Sequence, residues 1–319
     1  MDRTIVTVSL LLALLVAGCG DAGASATPTS APPLPSTAPA VATPDLDPPF
    51  LVLPPQPAVQ ALTDERLQHG AYYVLDTATG LTEVIDPDVS PERIAAQGGR
   101  AGIRAVWCGD RIEVASIDDT PWVIHPDGRV EQSIAHGCGG PKDSGTSPDG
   151  RWSAVVTTSG DVAVEVSDAA GTPVLRVTNA AEAAWPATGG AKLALLGDIC
   201  AGFHVYLFDP ASGALQRLGR EEDQVIEYVW RPDGAAIAAD VIPADGLAAP
   251  YRRVLALIDA VDGSPRELVS LQRDGELIPV GYNASGTRLL FAYNPGRGFC
   301  DDGGPPRAPS RLERIGAAR

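Results

Sequence analysis

From residue 71 onward, Val, Ile, Leu, Tyr and Ala alternate with polar residues in short runs. Each run lasts about five to seven residues and is bounded by Gly, Pro or Asp, the pattern of half-buried strands joined by tight turns. Residues 71–76, 111–117, 152–158, 162–167, 203–209 and 287–293 are examples. Helix signals are few. Thr63-Asp64-Glu65-Arg66 ending at Gly70, and Ser90-Pro91-Glu92 ending at Gly98-Gly99, predict about two helical turns each. The expected class is all-β.

A repeat organises these strands. A turn recurs ahead of an apolar strand at Trp107-Cys108-Gly109-Asp110, Ser147-Pro148-Asp149-Gly150, Trp185-Pro186-Ala187-Thr188-Gly189, Trp230-Arg231-Pro232-Asp233-Gly234 and Tyr282-Asn283-Ala284-Ser285-Gly286. Pro presets φ, Asp bonds the backbone ahead and Gly accepts positive φ. Aligned on Asp110, Asp149, Thr188, Asp233 and Ser285, the copies lie 39, 39, 45 and 52 residues apart. A second hairpin follows each of the first four. Two hairpins per period of about 40 residues define a four-stranded propeller blade. The Ser-Pro-Asp-Gly and Trp-Arg-Pro-Asp-Gly copies resemble the WD40-like repeats of TolB-type propellers over roughly 71–293; the other three copies have lost the Asp, the Pro or the Gly. The resemblance implies a β-propeller and no particular chemistry.

The fifth copy supplies only an inner hairpin (276–282 and 287–293), and 71–76 with 81–85 read as an outer hairpin lacking an inner one. Pairing them completes a blade and removes two open sheet edges. The expected architecture is a five-bladed propeller over 58–298, closed by its own termini. Six blades would need strands from 299–319, and that Pro/Gly-rich tail reads as irregular.

The N-terminus adds a location. Arg3 precedes an apolar run from Ile5 to Ala17, and Val16-Ala17-Gly18-Cys19 resembles the lipobox of bacterial lipoproteins. The resemblance implies removal of signal peptide 1–18 and lipidation of Cys19, with palmitate among the acyl chains. Residues 19–57 then read as a disordered linker, since 20–57 holds eleven of the chain's 29 prolines among Ala, Thr and Ser. The expected location is the outer face of a bacterial cell membrane, the membrane being contacted through the lipid anchor.

Losing 1–18 removes Asp2 and Arg3 together and leaves the net charge at −16. This excludes nucleic acid, which needs clustered Lys and Arg. After Cys19, Cys108, Cys138, Cys200 and Cys300 remain, an even number that predicts two disulfides among three connectivities. The assumed topology puts Cys200 and Cys300 on one face and leaves Cys108 with Cys138, although Cys108 belongs to the opposite face. Without a C-x-x-C pair or histidines at ligand spacing, no metal or cofactor is expected.

No Gly-x-Ser-x-Gly elbow is present, so the serine hydrolase domain attached to some propellers is missing. The loops joining second to third strands, and blade to blade, gather acidic residues on one face. Asp198, Glu221, Glu222, Asp223 and Asp245 are the candidate binding residues there, with Arg297 among the few cations. Two function classes follow. The first is a non-catalytic, monomeric cell-surface propeller that binds or scaffolds a protein or glycan partner. The alternative is a glycoside-active enzyme, whose paired carboxylates would come from Asp143, Glu182, Glu227 and Glu276 on the innermost strands.

Overall fold

The computed structural model describes Pro48 and residues 50–63, 70–87, 103–116, 121–133, 145–157, 162–190, 192–197, 202–246, 252–272, 275–294 and 312–313, all within the unit Asp47–Arg319. Among these residues the strands form five antiparallel sheets, one per predicted blade. The first blade runs β4 (Ile103–Cys108), β5 (Arg111–Ser116), β6 (Pro121–Ile124) and β7 (Val130–Gln132). The second holds β8 (Trp152–Thr157), β9 (Ala163–Asp168) and β10 (Pro173–Thr178). The third holds β11 (Ala180–Ala184), β12 (Leu193–Gly197), β13 (His204–Asp209) and β14 (Ala214–Arg217). The fourth holds β15 (Gln224–Trp230), β16 (Ala236–Ile242), β17 (Arg252–Asp259) and β18 (Pro265–Gln272).

The fifth blade closes the ring. β19 (Glu276–Tyr282) and β20 (Arg288–Asn294) come from the C-terminal part of the chain, β2 (Tyr72–Asp76) and β3 (Leu81–Pro87) from the N-terminal part. β2 pairs with β20 from Tyr72↔Ala292 to Asp76↔Arg288, so the shared blade read from the sequence is present. Alternation then splits β2 between two cores. Tyr73 and Leu75 pack toward the fourth blade with Phe291, Leu289 and Leu255, whereas Val74 packs toward the first blade with Ile112, Val114 and Leu290. Both faces of the blade are therefore apolar. Similar clusters join the second to the third blade and the third to the fourth. Among the described residues no such cluster joins the first blade to the second.

Three boundaries differ from expectation. Residues 50–57 are not linker: Phe50–Pro57 is strand β1, paired outside β3 from Phe50↔Pro87 to Pro57↔Leu81. Composition hid it, because proline forfeits only the hydrogen bonds that an edge strand does not use. Buried Phe50 supplies the anchor. The helix expected at 63–70 has Thr63 as the last residue of α1 (Ala58–Thr63); 64–69 and 90–99 lie outside the described residues. The tail is not wholly irregular either, since β21 (Leu312–Glu313) pairs with β10 as an outer strand of the second blade. It adds no sixth blade. The first strand of that second blade is reduced, among the described residues, to the bridge Thr146↔Ser153.

The repeated turns interlock. Thr188 donates both its backbone N–H (2.9 Å) and its hydroxyl (2.8 Å) to the carbonyl of Pro232 in the next blade's turn. Across the closure, Ala284 N–H donates to Gly109 O at 3.0 Å and Asn283 Nδ2 to Asp110 Oδ1 at 3.2 Å. The outer hairpins are built alike: Asp76, Asp168, Asp209 and Asp259 each accept a backbone N–H two residues ahead, at 2.7–2.9 Å.

Candidate functional site

On the face carrying these turns, the wedge between the closing blade and the first blade opens into a cleft of about 390 Å³. One wall is β1, through Val52, Leu53, Pro54 and Pro55. The other is the first blade, through Trp107, Ile112 and Ile124 and the β6–β7 turn. Charged groups rim it. Arg288 donates from Nη2 to Glu83 Oε2 at 2.5 Å, and its guanidinium lies 6.0 Å from the Trp107 ring centroid. Asp110 is held through Oδ1 by Asn283, and Asp127 Oδ1 accepts the N–H of Arg129 at 3.0 Å. His125 Nε2 meets Glu131 Oε1 at 2.8 Å, and Arg129 bonds the same carboxylate. The His125 bond, with Arg129 beside it, holds the Glu131 carboxyl below the usual range. Trp107 Nε1 is buried without an acceptor among the described residues.

A second polar cluster lies at the opposite end of the fourth blade. Asp240 on β16 is fully buried. Its Oδ2 lies 3.3 Å from Arg253 Nη2 and accepts the Leu277 N–H at 3.1 Å, while Oδ1 has no hydrogen-bond partner among the described residues. Arg253 Nε donates to Gly275 O at 2.5 Å. Burial pushes the Asp240 carboxyl up to about 7; Arg253 and the Leu277 N–H pull the other way, and Glu276 and Glu227 reinforce the rise. Glu227 stands opposite Asp240 in the β15–β16 register and is itself raised, by burial first and then by Glu276.

These geometries sort the residues singled out from sequence. Glu227 and Glu276 do come within electrostatic reach of each other. Glu276, however, accepts from Asn294 Nδ2 at 3.2 Å, and neither residue lines the cleft. They collar a structural ion pair, which does not favour the hydrolytic reading. Glu182 occupies the middle of β11 on another blade. Asp223 is a correction: it is buried, and its Oδ1 caps the Ala244 N–H at 3.2 Å, so it is not a surface binding residue. Asp245 pairs with Arg252 at 3.2 Å, and Arg252 also holds Glu267 at 2.6 Å. With Arg220 and Arg253, that end carries more cations than the sequence reading counted. Glu221 and Glu222 are exposed. A hollow of about 20 Å³ beside Asp223 has room for about one water. Cys108 ends β4, and its Sγ accepts from Arg111 Nη2 at 3.7 Å. Cys19, Cys138, Cys200, Cys300, Asp143, Asp198 and Arg297 lie outside the described residues. Sequence reasoning missed Asp240, Arg253 and the cleft. An Asp inside the apolar run Ala236–Ile242 was the one available signal.

The fold and cleft define a closed five-sheet β-propeller with an interblade hollow. The sequence matches no protein-family model and none of the curated proteins. Solved structures are similar at low identity. TolB from Acinetobacter baumannii is 18% identical, with a TM-score of 0.33, over 75% of this chain and 67% of that one. A putative TolB from Agrobacterium tumefaciens is 16% identical, with a TM-score of 0.28, over 71% and 98%. The β-propeller domain of the Pyrococcus furiosus trilobed protease is 13% identical, with a TM-score of 0.29, over 63% and 72%. Among the described residues no helix is long and apolar enough to cross a membrane, and no group of His, Cys, Asp and Glu is placed to hold a metal ion.

Proposed function

We propose that the chain is a non-catalytic lipoprotein on the outer face of a bacterial cell membrane, anchored through Cys19, whose propeller binds a protein or glycan partner. The observation that carries the binding role is the cleft, a hollow lined by both apolar and charged side chains at the seam where the two ends of the chain meet. Its β1 wall follows the Pro-rich stretch directly in sequence. The anchor rests on the Val16–Cys19 motif and the apolar run before it. The proposed disulfides are Cys108 with Cys138 and Cys200 with Cys300.

Pro54 and Pro55 are exposed on the cleft wall, and Pro54→Trp with Pro55→Trp should block it. Cross-linking of intact cells should capture a partner with the wild-type chain and lose it with the blocked one. A partner captured equally by both would move the binding site away from the cleft. Mass spectrometry should find the mature N-terminus at an acylated Cys19, and Cys19→Ala should release the protein from membranes. Non-reducing peptide mapping reads the disulfide pairs directly.

A further inference from the structure

We infer that the cleft takes an aliphatic cation, meaning a primary ammonium or guanidinium head on an apolar stem, as in a lysine or arginine side chain or a free polyamine. The inference rests on the binding role proposed for the same hollow and is argued from the balance of charge on its walls. Three carboxylates line it, those of Glu83, Asp110 and Asp127, against a single guanidinium, Arg288. Arg288 is already neutralised by Glu83 at 2.5 Å and lies against Trp107. Glu83 is therefore satisfied, while among the described residues Asp110 and Asp127, both exposed, are each engaged through Oδ1 alone.

An anionic ligand would meet the Asp110 and Asp127 carboxylates, while Arg288 is already held by Glu83 and the lining His125 by Glu131. A neutral ligand would gain from the apolar walls but would leave the same carboxylates to water. A cationic head takes a cleft carboxylate oxygen with charge-assisted bonds, and the apolar lining of Val52, Leu53 and Ile112 suits its alkyl stem. Arg288 is an internal example of the same chemistry, its head over the Trp107 ring and its charge on the Glu83 carboxylate.

The test uses the purified full chain and four probes: a peptide with one lysine, the same peptide with norleucine in its place, butylguanidinium and butylurea. Tryptophan fluorescence and calorimetry read binding at low and high salt. The lysine peptide and butylguanidinium should bind, with affinity falling at high salt, and norleucine and urea should bind at least tenfold more weakly. Asp110→Asn with Asp127→Asn keeps the turn-capping oxygens and should lower cation affinity at least tenfold. Asp149→Asn with Asp262→Asn, exposed turn residues of the second and fourth blades and absent from the cleft lining, should change nothing, which separates the cleft from general attraction to an acidic protein. If only the peptide binds, the cation is a protein side chain; if butylguanidinium binds equally well, a free amine suffices. Equal binding of charged and uncharged probes, abolished by Pro54→Trp with Pro55→Trp, would overturn the cation inference and leave the cleft as a binding site. Cation binding indifferent to both cleft variants would overturn the cleft as well.

Discussion

Arg253 Nη2 lies 3.3 Å from Asp240 Oδ2, with both side chains almost wholly buried, and the pair fastens the first strand of the closing blade to the fourth blade. Asp240 takes the Leu277 N–H at the start of β19, and Arg253 takes the carbonyl of Gly275 just before it. Two side chains of one blade thus hold the backbone of the next where the ring must close. A buried pair of this kind costs little to replace whole and much to break.

Arg253→Met should therefore destabilise the fold by about 3–5 kcal/mol in denaturant unfolding. Arg253→Met with Asp240→Leu should recover most of that loss. A double variant as unstable as the single one would show that the two residues do not act as a pair.

The pH dependence follows from Asp240. Its folded carboxyl is raised to about 7 from an ordinary 3.8. Its contribution is fully present below about pH 4 and is lost as pH rises through about 7. The turn carboxylates act oppositely. Asp149, lowered by the Ser147 hydroxyl, and Asp233, lowered by Arg231, contribute above the ordinary carboxylate range and fade as pH falls through it. Stability should peak in mildly acidic solution and decline toward pH 8. Asp240→Asn should flatten that decline. Arg253→Met, by removing the cation that favours ionised Asp240, should cost more at pH 8 than at pH 5.

Closure depends on Tyr73 stacked on Phe291 at 5.1 Å across the junction of the chain ends. Phe291→Ala should cost about 3–5 kcal/mol. Deleting 71–87 should expose the β20 edge and produce aggregates by light scattering. A monomeric deletion protein with an intact melting transition would show that the ends need not pair.

The interlocked turns should be sensitive to Gly189, which has φ +90° and whose added Cβ would stand 2.4 Å from the Asp233 carbonyl oxygen. Gly189→Ala should lose at least about 1–3 kcal/mol from backbone strain alone. Gly80→Ala, equally left-handed at φ +73° but with open space around the Cβ position, should lose less. Thermal melts of the two variants side by side measure the clash separately from the strain.

A fragment starting at residue 58 should be markedly less stable than one starting at 47. It lacks β1, and with it the 2%-exposed Phe50 ring that packs edge-on against Trp122. Equal denaturation midpoints would show that β1 is dispensable.

The period-2 alternation and the recurring Pro-Asp-Gly turns determined the strands and the hairpins, because both signals act over neighbouring residues. The orphan hairpins at 71–85 and 276–293 even determined the closure, since each needed the edge that the other offered. The sequence did not determine β1, because a Pro-rich edge strand is defined by the sheet it joins and not by its own propensity. Nor did it determine the fate of the acidic residues. Asp223, Asp245 and Asp240 look alike in the sequence, and only packing made the first a backbone cap, the second an ion pair and the third a buried carboxylate. The cleft belongs wholly to the tertiary structure, since its walls come from stretches centred near residues 53, 107, 126 and 288, brought together only when the ring closes.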